Sequence, residues 1–228
     1  MKFETQTHYQ RFMLGIICGL LPIGCLLFGL FGAYRGINYP GWYESISATY
    51  FANSNSCMIV ALGLCSFFLF TYQGYVDAKE DEKRTLLQRI RKALTPKELF
   101  RLTDRKLTLV AAVSALLIVA CPCAAAPVDY MGLLALPTNV SDIIHMVAAI
   151  ALFGCFALMT LTQFPKGGHK RRNAIYRICG WTMLAFMALV GISTIAGLPG
   201  YMTMICEAGM LWAFSVAWII KSGVFPKV

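Results

Sequence analysis

Six runs of about 20 consecutive apolar residues, joined by short polar segments, leave this chain few ways to fold. Each run has the length a helix needs to cross about 30 Å of hydrocarbon. The runs are 13–34, 57–76, 107–126, 143–163, 178–197 and 202–220. They are continuously apolar rather than alternating, and lipid offers no partner to an unpaired backbone group, so helix rather than barrel strand is the expected state. With 58% apolar and 14% charged residues, the chain has too little polar surface to cover a soluble globule.

Charge then sets the orientation. Of the twenty Lys and Arg residues, two lie in the N-terminal tail (Lys2, Arg11), ten between Lys79 and Lys106, five between Lys166 and Arg177, and two at the C-terminus (Lys221, Lys227). Only Arg35 falls on the other side of the runs. The positive-inside rule therefore predicts an all-α, polytopic membrane bundle of six transmembrane helices in one domain, with both termini and the 77–106 loop in the cytoplasm. The first run has no small-x-small cleavage site after it, so it reads as a retained signal anchor. The formal charge of +9 follows from the same bias, and no basic motif lies outside the membrane-flanking loops, so nucleic acid is not an expected partner. The nine cysteines lie in or beside the runs, form no secreted disulfide framework and read mostly as small packing residues. No extramembrane stretch exceeds about 30 residues, which leaves no room for a nucleotide-binding domain, and neither a P-loop nor a Rossmann fingerprint is present.

The 77–106 loop is the one sizeable polar segment. Leu86, Leu87, Ile90 and Leu94 repeat at helical spacing against Lys83, Arg84, Arg89, Arg91 and Lys92, the pattern of an amphipathic helix with a basic face. Such a face serves topology alone, or docks on anionic lipid at up to about 1 kcal/mol per basic residue. Thr95-Pro96-Lys97-Glu98 has the form of a capping box and predicts a second short helix from Pro96. On the opposite side, the segment from Tyr39 to Phe51 is rich in Tyr and Trp, which suits the headgroup belt. Asn53-Ser54-Asn55-Ser56 follows it into the second run, either lining a wet vestibule or bonding between helices.

Ionisable residues inside membrane spans are costly, so they are the first candidates for a site. Glu207 lies about five residues into the sixth run, roughly 8 Å deep at 1.5 Å per residue. His145 opens the fourth run, one turn after Asp142 on the same helix face. Both helices enter from the non-cytoplasmic side, where Arg35, Ser47 and Asn53 also belong. The expected site is thus an outward-facing polar pocket of Glu207, His145, Asp142, Ser47, Arg35 and Asn53. Glu207 there serves helix packing, as a neutral or paired group, or recognises a lipid headgroup or small molecule.

Sharper chemistries can be set beside that reading. Ser47, Asp142, His145 and Glu207 are the residue types of an intramembrane metal-dependent hydrolase. The alkaline-ceramidase and adiponectin-receptor superfamily works in that way with three membrane histidines, whereas two of this chain's three, His8 and His169, fall in cytoplasmic segments. Cys121-Pro122-Cys123 looks like the Cys-Pro-Cys of heavy-metal P-type pumps, and Cys121, Cys123 and Cys206 are the residues that could hold a soft metal. A proline in the last turn of a membrane helix explains the same motif without a metal. Asn139-Val140-Ser141 is a glycosylation sequon, close enough to the fourth run to argue against modification.

Several local patterns occur in combination: Ser45-Ile46-Ser47-x-x-Tyr50, Phe68-Leu69-Phe70-x-Tyr72-x-Gly74-Tyr75, Ile144-His145-x-x-Ala148, Tyr176-Arg177-x-Cys179-Gly180, and Glu207-Ala208-x-x-Leu211-Trp212 continuing to Trp218-x-x-Lys221. Together they resemble an uncharacterised family of bacterial multi-pass inner-membrane proteins over most of the chain. The six-span plan, the Ile-Ser before the second run and the His-x-x-Ala of the fourth are similar to the DRAM-like membrane proteins of eukaryotes, regarded as modulators of membrane and lipid processes. The resemblance implies a small integral protein of the bacterial inner membrane and supplies no catalytic residues. The expected function is binding of lipid or a small molecule, or an accessory role, with membrane lipids and other membrane proteins as partners and no cofactor. A membrane-embedded metal-dependent lipid hydrolase is the rival, and a small transporter is disfavoured because no run carries a mid-membrane ion site or a plainly broken helix.

Overall fold

A computed structural model describes residues 3–31, 46, 59, 61–69, 104–121, 130–131, 134–166 and 170–223. Within them the chain is helical apart from turns and one hairpin of two two-residue strands. Helix α1 is Phe3–Phe31, α2 comprises residues 61–69, α3 is Asp104–Ala120, α4 is Thr138–Leu158, α5 is Lys170–Ile195 and α6 is Tyr201–Ser222. Among the described residues, three helices are long and apolar enough to cross a membrane: Thr138–Lys166, which is α4 with its C-terminal extension, together with α5 and α6.

Large apolar side chains face outward as well as inward. Leu109, Val113 and Leu116 on α3, Ile143, Val147 and Ile150 on α4, and Ile178, Trp181, Ile192 and Ile195 on α5 are all exposed. In water such a surface would drive association, whereas in lipid it is the ordinary outer face of a bundle. The protein is a membrane-embedded helical bundle.

Helices α1 and α3 to α6 begin ahead of the apolar runs that mark them, while α3 and α5 stop short of the expected ends 126 and 197, at Ala120 and Ile195. The fourth begins at Thr138, five residues before its run, and the fifth at Lys170, eight before. Hydropathy reports which residues meet lipid, while the backbone ladder continues into polar flanks as long as its bonds can be made. Helix α3 ends at Ala120, and Pro122 follows Cys121 directly. A proline cannot donate to the ladder and biases the residue before it away from the helical region.

Proline also shapes the end of α4. Pro165 lacks the N–H that would bond the carbonyl of Leu161, and the helix widens to a π turn over Met159–Gln163 before tightening to a 3-10 turn at Phe164–Lys166. Thr160 Oγ1 donates to the carbonyls of Ala157 at 2.8 Å and Phe156 at 3.1 Å, adding side-chain bonds in the loosened stretch. The α5–α6 turn is a Schellman motif. Gly197 adopts φ 63°, its N–H bonds the carbonyl of Thr194, and the Leu198 N–H reaches the carbonyl of Ser193 at 2.9 Å. A short hairpin absent from the sequence expectation pairs Tyr130 with Pro137 and Met131 with Leu136, turning through Ala135 at φ 46°.

Helix α6 organises the bundle, packing most extensively on α1 and α5, while α3 packs on α4. The α1–α6 contact runs antiparallel. The His8 ring is hydrogen-bonded to the Ser222 carbonyl at one end. Further along, Ser215 Oγ donates to Gly15 O at 2.6 Å and Trp212 Nε1 to Gly19 O at 3.1 Å. Gly15 and Gly19 are four apart on one helix face, which lets the two backbones approach; an added Cβ at Gly15 would lie 2.6 Å from Ile219 Cγ1. The beginning of α1 and the end of α6 therefore share one end of the bundle.

Aromatic rings fill the space between α4, α5 and α6. Phe156 stacks on Phe214, Trp218 meets Phe214 and Phe164 edge to face, and Phe164 meets Tyr176 in the same way. Lys221 closes this cluster: its Nζ donates to Phe164 O at 3.1 Å and sits 5.3 Å from the centre of the Phe164 ring. The cation thus lies at the C-terminal end of α6, where the helix dipole favours it, and against an aromatic face.

Candidate functional site

The end of the bundle opposite His8 and Ser222 is where α3 stops and α4 and α6 begin. Five helices leave a gap there. His145, Ala149, Leu152 and Phe153 recur at helical spacing on α4, Glu207 and Leu211 on α6, and Leu21, Leu62 and Ile118 complete the wall from α1, α2 and α3. Ile46, from the segment between the first two helices, is the tenth lining residue. The gap is a cavity of about 30 Å³, room for one or two water molecules, and its wall is aliphatic except for Phe153, Glu207 and His145.

The two ionisable groups are held differently. Glu207 Oε2 accepts the backbone N–H of Ile46 at 2.7 Å, a charge-assisted bond when the carboxyl is ionised. This bond ties the first interhelical segment to α6 across 161 residues of sequence. His145 is buried, and its Nδ1 lies 2.9 Å from the carbonyl of Cys121 at the end of α3. A carbonyl can only accept, so Nδ1 carries a proton there. The break before Pro122 thus has a use in the site, because it ends α3 where its last carbonyls turn to a side chain on α4.

The structure brings together the two residues that hydropathy singled out, Glu207 and His145. Asp142 is partly buried one turn before His145 on α4 and is not among the residues lining the cavity. Arg35, Ser47, Asn53 and Cys123 lie outside the described residues, as do the basic residues Lys83, Arg84, Arg89, Arg91 and Lys92 and the capping box at Thr95. Cys121 contributes its carbonyl rather than a thiol, and Cys206 is buried beside Glu207 in sequence without lining the cavity. Among the described residues, no three His, Cys, Asp or Glu side chains gather in a way that could hold a metal ion.

Four contributors were not singled out from the sequence. Ile46 takes part through its backbone N–H, which no side-chain pattern reveals. Phe153 follows His145 by eight residues and is one ring within a long apolar run. Gly15 and Gly19 sit outside the site but seat α1 against α6, and their four-residue spacing in an apolar helix was a readable signal. Comparison with family profiles, curated proteins and solved structures returns no match, so the site is read from its own geometry.

Proposed function

We propose that the chain is a six-span protein of the bacterial inner membrane, with both termini cytoplasmic, that binds a lipid or small molecule in an outward-facing pocket built around Glu207 and His145. The observation that carries this reading is the shared cavity: an acid on α6 and an imidazole on α4, far apart in sequence, line one small apolar space. Placing ionisable groups in a membrane bundle is costly, and grouping them around an open volume rather than within a packed contact favours recognition over packing. The cavity lies at the end remote from the start of α1 and the end of α6, and the charge-derived orientation would direct it outward.

Native mass spectrometry of the detergent-purified protein tests the binding. The wild type is expected to retain a lipid or small molecule in fixed stoichiometry. Glu207→Gln, which keeps shape and hydrogen-bonding capacity without charge, is expected to weaken that retention while remaining folded. A variant with a lowered melting temperature and unchanged bound lipid would return Glu207 to a packing role. Orientation is tested separately by phosphatase fusions. One truncated after Asn139 is expected to be active in a bacterial periplasm, and those after Arg89 or at Val228 inactive. The opposite pattern would overturn the six-span topology.

A further inference from the structure

The chemistry of the cavity wall narrows what it can receive. Glu207 has one oxygen on the Ile46 N–H, and among the described residues its other oxygen accepts no hydrogen bond. Among the described lining residues there is no Lys or Arg. Glu207 is partly buried, and where its carboxyl is ionised the open oxygen, facing aliphatic walls, favours a cationic partner. An anion is repelled by it, and a purely apolar group leaves it desolvated and unsatisfied.

We propose that the cavity receives a primary ammonium group, carried by an ethanolamine lipid headgroup or by a free small amine; the inference rests on the binding function proposed above. An ammonium group is close to a water molecule in size, which suits a cavity of about 30 Å³. It brings three N–H donors, one of which meets the open carboxylate oxygen in a charge-assisted bond. The Phe153 ring in the same wall adds a surface that favours a cation. Replacing the three protons by methyl groups removes every donor and enlarges the group beyond the space, so a choline headgroup is rejected on both counts. Selectivity follows from size and donor count together, with Glu207 as the recognising residue.

The full-length protein in detergent, supplemented in turn with phosphatidylethanolamine, its N,N-dimethyl derivative, phosphatidylcholine and ethylamine, provides the test by native mass spectrometry and thermal melting. The ethanolamine lipid is expected to be retained one per chain and at least about tenfold more tightly than the choline lipid, with the dimethyl lipid between them. Glu207→Gln is expected to abolish the preference. Ala149→Val, which fills the cavity from α4 and leaves the carboxylate in place, is expected to do the same and guards against an effect of Glu207 on folding alone. If ethylamine raises the melting temperature and displaces the ethanolamine lipid, a free amine suffices; if only the lipid binds, the headgroup is the source. Equal retention of ethanolamine and choline lipids, or undiminished preference in Glu207→Gln, would overturn the ammonium assignment and leave lipid binding standing. Retention of no lipid and no amine by the wild type would overturn both.

Discussion

Gly15→Leu is expected to separate α1 from α6 and cost the bundle about 2–4 kcal/mol, combining overpacking with loss of an interhelical hydrogen bond. A Cβ at this position lies 2.6 Å from Ile219 Cγ1 and 3.1 Å from both Ile219 N and Ser215 O. A side chain can rotate away; the backbone of α6 cannot move without giving up the Ser215–Gly15 and Trp212–Gly19 bonds. Unfolding in mixed micelles with increasing SDS, followed by circular dichroism, measures the loss. Gly154→Leu on α4 is the control, because nothing lies within 4 Å of a Cβ there. There the better helix propensity is expected to leave stability unchanged or raised by up to about 1 kcal/mol. Equal losses in the two variants would mean that the α1–α6 contact is not the seam that holds the first helix.

The second large effect is expected at Trp218. Its side chain is fully buried and lies in edge contact with Phe214 and Phe164, which in turn reaches Tyr176. Trp218→Ala leaves a cavity where three helices meet, and removal of a large buried aromatic typically costs about 3–5 kcal/mol. Trp218→Phe retains a ring and is expected to lose less than half as much. Lys221 should report the same event: with its aromatic seat disturbed, the cation loses the Phe164 face and its carbonyl contact loosens. The same unfolding measurement decides it, and a cost below about 1 kcal/mol for the alanine variant would place the adhesion of α4 to α6 elsewhere, for instance in the Phe156–Phe214 stack.

The two seams bear directly on the candidate site. Glu207 and Leu211 reach the cavity only because α6 is held between α1 on one side and α4 and α5 on the other. The glycine seam sets how close Leu21 comes to the cavity, and the aromatic cluster holds α6 against the helix that carries His145, Ala149 and Phe153. Destabilising either seam is therefore expected to disturb binding through geometry. Glu207→Gln and Ala149→Val change the wall itself and leave both seams untouched, which separates a damaged site from a damaged bundle.

Much was legible before the fold was known because membrane helices obey strong local rules. A run such as 202–220 must make its backbone bonds within itself, so helix followed from composition, and the structure places α6 at Tyr201–Ser222. Glu207 and His145 stood out for the same reason, since an ionisable side chain among apolar ones is conspicuous and costly. What required the tertiary structure is everything that depends on distance across the sequence. That Glu207 meets the Ile46 N–H, that His145 meets the Cys121 carbonyl, and that Asp142 stays out of the wall are consequences of how helices rotate against one another, and an apolar run carries little record of its own rotation when lipid and neighbouring helices are equally apolar. Backbone donors and acceptors are identical at every residue, so no pattern of side chains could have named Ile46 or Cys121 in those roles. Residue type decided which groups were available to a site, and helix packing decided which of them share a cavity.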